Sequence, residues 1–373
     1  CPAARQRALF ARAAWDPGAA AGRGRVMAPL AAGHVREGSA VGATGLRIAT
    51  YAWDAPAAAR ALSASNEKGG DNGGAAGAAG GNASDAGGSG KPRAFVLALH
   101  GHAVHARYEF IPASKRGGPH DDYSESIIAR LNAEGMSVHA YDQQSFGLSE
   151  SRVPGFKGRG FVKRFDDLVD DCVVMAEKLR AEADALGVPL YLLACSMGGC
   201  VGVRTMQRRP KLFDGAVLVA PMLSLEQAKR QPANAVLLPV VGLLSRVWPT
   251  LRLPAGAVNT KFPFLQEEMD RDPRCLSSRT VGTTARMANE YLHATEACRR
   301  DVGAMTTPFL TLHSHQDTSV DPESSEHLHA HAGARDKDVK WFDGMWHNLL
   351  LEPGKDEVLD EIVSWYSARA PPA

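Results

Sequence analysis

Residues Val188-Pro-Leu-Tyr-Leu-Leu-Ala-Cys-Ser-Met-Gly-Gly-Cys200 leave the chain few ways to fold. Leu190 to Ala194 is a short apolar run with the length and content of a buried strand. It stops at Cys195-Ser-Met-Gly-Gly199, and Cys200 to Arg209 then reads as a helix closed by Pro210. A serine held between a strand and a helix by small residues is a nucleophile elbow. The turn is too sharp for bulky neighbours, and it lifts the hydroxyl above the sheet. The helix N-terminus behind it offers free N–H groups where negative charge can develop. The pattern departs from G-x-S-x-G at its first position, where Ala194 stands, and alanine is still small enough for the turn. A small-residue turn with an incidental serine is the competing reading, and the rest of the chain weighs against it.

Around this stretch, strand and helix signals alternate. Leu46–Trp53 and Arg93–Leu99 read as strands, and Met136–Tyr141 follows helical Ser124–Ala133. Phe165–Leu186 is a long amphipathic helix with Leu168, Cys172, Met175, Leu179 and Leu186 near one face. After the elbow come strands at Ala216–Ala220, Phe309–Leu312 and Val339–Phe342, then a last helix around Val358–Tyr366. Such alternation implies an α/β fold, a mostly parallel sheet with helices on both faces. Two segments break the rhythm. Ser63–Gly90 is a run of Gly, Ala, Ser and Asn with almost nothing to bury, expected as a flexible insertion in a strand-to-strand loop. Residues 224–307 are helix-prone and proline-punctuated, with an apolar first half at Val236–Leu253. They fit a helical cap above the carboxyl ends of the strands better than a plain extra helical layer.

Residues 1–40 are rich in alanine, arginine and glycine and read as a disordered extension; a transit peptide addressed to an organelle is the other reading. The domain proper is expected over 41–373. A formal net charge of +1 gives no reason to expect nucleic acid, and 45% hydrophobic residues support a large core. Six cysteines show neither metal-ligand spacing nor a secreted framework, which fits a reducing compartment. The longest apolar run, Ala235–Leu244, falls short of the ~18 residues of a membrane span. A cytoplasmic or peripheral membrane location is expected.

A serine hydroxyl needs a base to take its proton and an acid to orient that base. On a sheet of this kind the partners follow in the order Ser, acid, His. Ser196 is followed by Asp317, just after Phe309–Leu312, and by His347, just after Val339–Phe342. Both lie at strand ends, where catalytic groups of a parallel sheet collect. Asp321 is the rival acid, and Asp343 sits too close to the strand before His347. The two oxyanion donors are expected to be the backbone N–H of Met197 and that of His102, in the loop after Leu97-Ala-Leu-His-Gly-His102. His327-Leu-His-Ala-His331 reads as a solvated helix rather than a metal site, because alternate histidines face different ways and no carboxylate or cysteine completes a set. No cofactor or metal is expected.

The set His100-Gly101, Tyr141-Asp-Gln-Gln-Ser-Phe-Gly-Leu-Ser149, Cys195-Ser-Met-Gly-Gly199, Val219-Ala-Pro-Met222, His315-Gln-Asp317 and Gly344-Met-Trp-His347 resembles the monoacylglycerol lipase and lysophospholipase-like serine hydrolases of the α/β-hydrolase superfamily. The resemblance runs from about Gly45 to Arg369, interrupted by the glycine-rich insertion. It implies Ser196 as nucleophile, Asp317 as acid, His347 as base, and His102 and Met197 as oxyanion donors. It also implies a carboxylic ester hydrolase that cleaves monoacylglycerol or lysophospholipid-type lipid esters through an acyl-enzyme, with a lid that touches membranes, which agrees with apolar Val236–Leu253; Arg246 and Arg252 are expected near the headgroups. Ala194, Cys195 (where histidine is frequent), Gln144 and Ser145 depart from the family's pattern. An acyltransferase on the same acyl-enzyme, or a non-catalytic receptor on the same fold, are the alternatives.

Overall fold

The computed structural model describes residues 35–56, 90–230, 232–253, 258–277, 279 and 281–372. The predicted extension lies outside these residues up to 34, as does the predicted insertion apart from Gly90. The body is one eight-stranded sheet in the order β1-β2-β4-β3-β5-β6-β9-β10. Its strands are β1 (Val35–Val41), β2 (Arg47–Trp53), β3 (Ala94–Leu99), β4 (Met136–Tyr141), β5 (Leu190–Cys195), β6 (Gly215–Val219), β9 (Phe309–His313) and β10 (Lys337–Trp341). A separate two-stranded ribbon joins β7 (Arg252–Leu253) to β8 (Thr283–Thr284). From β4 to β10 every pairing in the large sheet is parallel, whereas β1 and β2 run antiparallel at one edge. The central strands are buried along their whole length, so β3, β5 and β6 read as unbroken apolar runs rather than alternating ones.

The boundary drawn at residue 40 is corrected, because β1 begins at Val35. Most of this strand is exposed, and it is held by backbone pairing to β2 with an Arg36–Asp54 ion pair alongside. A strand with so few apolar side chains leaves no periodic trace in sequence.

Two apolar clusters fill the faces of the sheet. One gathers the long helix Phe165–Leu186 and the helix Met197–Arg208 against β3 and β5, around Leu168, Cys172, Val201 and Leu218. The other packs the last helix, Lys355–Ser367, with Ile127, Ile128 and Leu131 over the opposite face. Between β6 and β9 the chain leaves the sheet to form the helices Glu226–Arg230, Pro232–Val247, Pro263–Arg271 and Ala285–Arg300. Among the described residues no helix is long and apolar enough to cross a membrane.

Asp142, at the end of β4, ties several of these parts together. Its buried carboxylate accepts from the Tyr51 hydroxyl at 3.0 Å, the Ala106 N–H at 2.9 Å and the Leu148 N–H at 2.8 Å. One strand, one short helix and one loop thus share a single anion. Replacing Asp142 by alanine strands three donors, two of them buried, and is expected to cost about 3 kcal/mol of stability. Denaturant titration checks this, and a loss below about 1 kcal/mol would mean that the donors find other partners.

Candidate active site

The site begins where the sheet is deepest. β5 hands over to the helix Met197–Arg208 through Ser196, whose backbone sits at φ 49° and ψ −116°. A side-chain-bearing residue rarely adopts this conformation, and the surroundings must enforce it. A Cβ on Gly198 would lie 2.4 Å from the Leu99 carbonyl oxygen, and one on Gly199 would lie 2.7 Å from Pro221 Cβ. Glycine at both positions is therefore a condition of the turn, and Ala194 fits fully buried within β5.

The structure brings Ser196, His347 and Asp317 into one hydrogen-bonded chain. Ser196 Oγ lies 3.0 Å from His347 Nε2, and His347 Nδ1 lies 2.6 Å from Asp317 Oδ2. Asp317 sits on the loop after β9 and His347 on the loop after β10, so the parallel register of these strands sets their approach. Asp317 is saturated with donors: Oδ2 also accepts from His313 Nε2 at 3.0 Å, and Oδ1 accepts from the Ser319 and Val320 N–H groups. Burial alone would raise its pKa, but the His347 charge and the histidine hydrogen bonds outweigh that and hold it at about 2. For His347, burial works against protonation, yet Asp317, with help from Glu109 and Glu352, carries its pKa above the ordinary 6.5.

Asp321, the rival acid, serves elsewhere. Its carboxylate accepts from the Ser224 hydroxyl and from the Glu226 and Gln227 N–H groups, so it fastens the start of the helix Glu226–Arg230. Asp343 is exposed in the turn after β10.

The two expected oxyanion residues flank the serine, Met197 as the first residue of its helix and His102 in the loop after β3. The His102 ring is gripped by the segment inserted between β6 and β9. Its Nε2 lies 3.0 Å from Thr283 Oγ1, and its Nδ1 meets the Tyr291 hydroxyl, which also lies 3.0 Å from Met197 Sδ. Burial, aided by Arg252 and His100, pushes the His102 pKa down to about 3, so this ring is a neutral strut.

Several supporting residues stand outside the sequence motifs named above. His313 bridges the Ser325 hydroxyl to Asp317. Glu352 collects the Trp346, His347 and Asn348 N–H groups and fixes the loop that bears the base. Here a signal did exist: an acid at the end of Leu349-Leu-Leu351 invites a buried role. Glu109 is also buried, and its Oε2 accepts from the Gly101 N–H at 2.9 Å.

Two cavities meet at Ser196 and His102. One, of about 160 Å³, is apolar and lined by Leu225, Leu238, Val241, Leu253, Tyr291 and Leu292. The other, of about 100 Å³, carries Glu109, Asn259, Gln266 and Asn348 among its walls.

As to metals, His105, Asp272 and Cys275 have ligand atoms within 4.8 Å of one another. His105 Nδ1 accepts the Tyr108 N–H, however, so Nε2 carries the ring proton and donates it to Asp272 at 2.9 Å. That leaves no free ring lone pair for a cation. His327 and His331, one turn apart on the helix Glu323–His331, bring their rings to 4.2 Å between centroids at a tilt of 31°; they do not belong to a metal-sized cluster among the described residues.

A parallel sheet carrying a serine on a strained strand-to-helix turn, with acid and histidine on later strand ends, defines an α/β-hydrolase. The family described as serine aminopeptidase, S33 (Hydrolase_4) matches residues 90–354, and the chain belongs to it. Mouse monoglyceride lipase is 26% identical over 287 residues, spanning 75% of this chain and 84% of its own. The monoacylglycerol lipase of Mycolicibacterium smegmatis is 24% identical over 275 residues, spanning 74% and 88%. Among solved structures, a soluble variant of Saccharomyces cerevisiae monoglyceride lipase shares the fold with a TM-score of 0.65 at 16% identity, covering 91% of this chain and 96% of that one.

With His347 as the expected base, only its neutral form could take the serine proton. With its pKa raised above 6.5, kcat/KM for ester hydrolysis is expected to climb with pH through a midpoint above 6.5. A pH–rate profile whose acid limb falls at or below that value would contradict this electrostatic account.

Proposed function

We propose that this chain is a serine carboxylic ester hydrolase that cleaves monoacylglycerol-type lipid esters through an acyl-enzyme on Ser196. The observation that carries this reading is the position of the Ser196 hydroxyl: hydrogen-bonded to His347 and set in the lining of an apolar cavity. His347 takes the hydroxyl proton as Oγ attacks the ester carbonyl, and Asp317 holds the ring in the tautomer that can accept it. The Met197 and His102 N–H groups receive the carbonyl oxygen as it becomes negative. His347 then protonates the departing alcohol, and water repeats the sequence on the acyl-enzyme.

The acyl chain fits the apolar cavity, where each buried methylene contributes about 0.8 kcal/mol. The family's description speaks of an aminopeptidase, whose substrates carry an ammonium group. No carboxylate lines the apolar cavity among the described residues, so an ammonium group would find no counter-charge on that side of Ser196; the Glu109 carboxylate lies in the other cavity. This favours an ester with an alkyl acyl group.

The segment 224–307 acts as the lid of this cavity. Along its helix Pro232–Val247 and just beyond, Val240, Leu243, Val247 and Trp248 are exposed while Val241 is buried. The side chains of Val236 and Leu237 lie outside the described residues. The exposed positions share one face, which suits docking into a lipid interface close to the cavity mouth. Arg246 is exposed and free to meet headgroups; Arg252 is not, since it donates to the carbonyls of Phe156, Arg159 and Gly282.

Ser196→Ala is expected to abolish hydrolysis and fluorophosphonate labelling without unfolding the protein, and Asp317→Asn to cost on the order of 10⁴ in kcat. Near-normal turnover by the Asn variant would remove Asp317 from its role. In a substrate panel, a protein that accepts fluorophosphonate but transfers its acyl group to alcohols faster than to water would be an acyltransferase instead. For the lid, Leu243→Ser with Val247→Ser should reduce liposome binding and long-chain lipid hydrolysis while soluble nitrophenyl butyrate is still cleaved. Equal loss on both substrates together with a lower Tm would make that face part of the core.

A further inference from the structure

A buried glutamate stands unused beside the reacting atoms. Glu109 belongs to the short helix Ala106–Phe110 that follows the His102 loop, and it is only 6% exposed. Its Oε2 accepts the Gly101 N–H at 2.9 Å, and its carboxylate has no other hydrogen bond among the described residues. A Cβ placed on Gly101 would lie 3.1 Å from Glu109 Oε2 and 3.7 Å from Ser196 Oγ, so the carboxylate and the serine both pack against Gly101. A buried carboxylate with a single donor is expensive to keep, and such a group marks a functional position more often than a structural one.

Glu109 lines the smaller cavity together with Asn259, Gln266 and Asn348, and no lysine or arginine among the described residues lines it. If the acyl chain fills the apolar cavity, the alcohol of the ester projects into this one. Its walls offer amide groups for hydroxyls and one carboxylate, with no fixed positive charge to receive an anion.

We propose that Glu109 is a specificity-determining residue on the alcohol side of the site, selecting esters whose alcohol is uncharged and hydroxylated and rejecting those that carry a phosphate or carboxylate. This rests on the ester-hydrolase reading above and refines it, favouring an acylglycerol over a lysophospholipid. Two negative groups confined to one cavity of about 100 Å³ lie close together and repel. Hydroxyl donors, in contrast, satisfy the Glu109 oxygen that lacks a partner. Burial pushes the Glu109 pKa up, and the Gly101 N–H and the His347 charge oppose that shift.

The test uses two chromogenic esters of butyric acid, a nitrophenyl ester and its ring-carboxylated analogue, each rate divided by that ester's alkaline hydrolysis rate. The wild-type protein should disfavour the carboxylated ester; equal normalised kcat/KM in the wild type overturns the proposal without any variant. Glu109→Gln keeps an acceptor for the Gly101 N–H while removing the charge, and it should shift the ratio toward the carboxylated ester by about tenfold. An unchanged ratio in a variant that still takes up fluorophosphonate also overturns it. Glu109→Ala should move the ratio the same way and lower kcat on both esters, because Gly101 then loses its acceptor. The parent reading fails separately: a wild type that cleaves nitrophenyl butyrate but not 1-acylglycerol would refute the monoacylglycerol assignment and leave the charge test decided by its own ratio.

Discussion

The turn at Ser196 is the constraint to which the rest of the molecule answers. At φ 49° and ψ −116° the residue holds a conformation that costs on the order of 1–3 kcal/mol, and it persists only where the surroundings over-determine it. They do so by close approach. The helix Met197–Arg208 comes so near the ends of β3 and β6 that Gly198 touches the Leu99 and His100 carbonyls and Gly199 touches Pro221. Further along, a Cβ on Gly202 would meet Leu192 Cδ2 at 2.8 Å, so even the third glycine is fixed by the packing of β5. The strain at one serine is thus spread over the contact between a helix and three central strands.

Electrostatics around that turn follow from burial. A carboxylate removed from water must find donors, and Asp317 has four, two from the backbone and two from histidines. The arrangement keeps it ionised, and an ionised Asp317 raises the basicity of His347. His102 shows the opposite regime. With no acid against it, burial keeps its ring neutral, and it serves as a strut between Thr283 and Tyr291. Similar rings in similar surroundings take different parts because only one has a carboxylate partner.

What the sequence disclosed and what it hid divide along physical lines. The long helix Phe165–Leu186 and the strand Met136–Tyr141 match their expected bounds residue for residue, because each is a strongly periodic or wholly apolar run bounded by breakers. Ser196, Asp317 and His347 were legible as a set because each directly follows a strand, and a parallel sheet gathers such positions at one end. β1 was not, since its stability comes from backbone pairing that leaves no side-chain pattern. Tyr291 and Thr283 were hidden for another reason: they reach His102 across 189 and 181 residues, and no local spacing encodes such a contact. Glu109 lay between the two cases, an acid in the short helix Ala106–Phe110 whose partner, Gly101, is only eight residues away.

The topology has a kinetic meaning. Ser196 and His347 are 151 residues apart, and β6 and β9, which pair side by side, are separated by the whole inserted segment. Loop-closure entropy must be met before such distant pairings return any stabilisation, which makes parallel sheets of this kind slow to complete. The half of the sheet that bears the serine is built from β3, β4 and β5, while its base arrives with the final edge strand. A nascent or partly folded chain therefore holds Ser196 without His347. On the roles proposed for these two residues, the serine gains its base only when the last strand docks, and assembly is completed before the chemistry can begin.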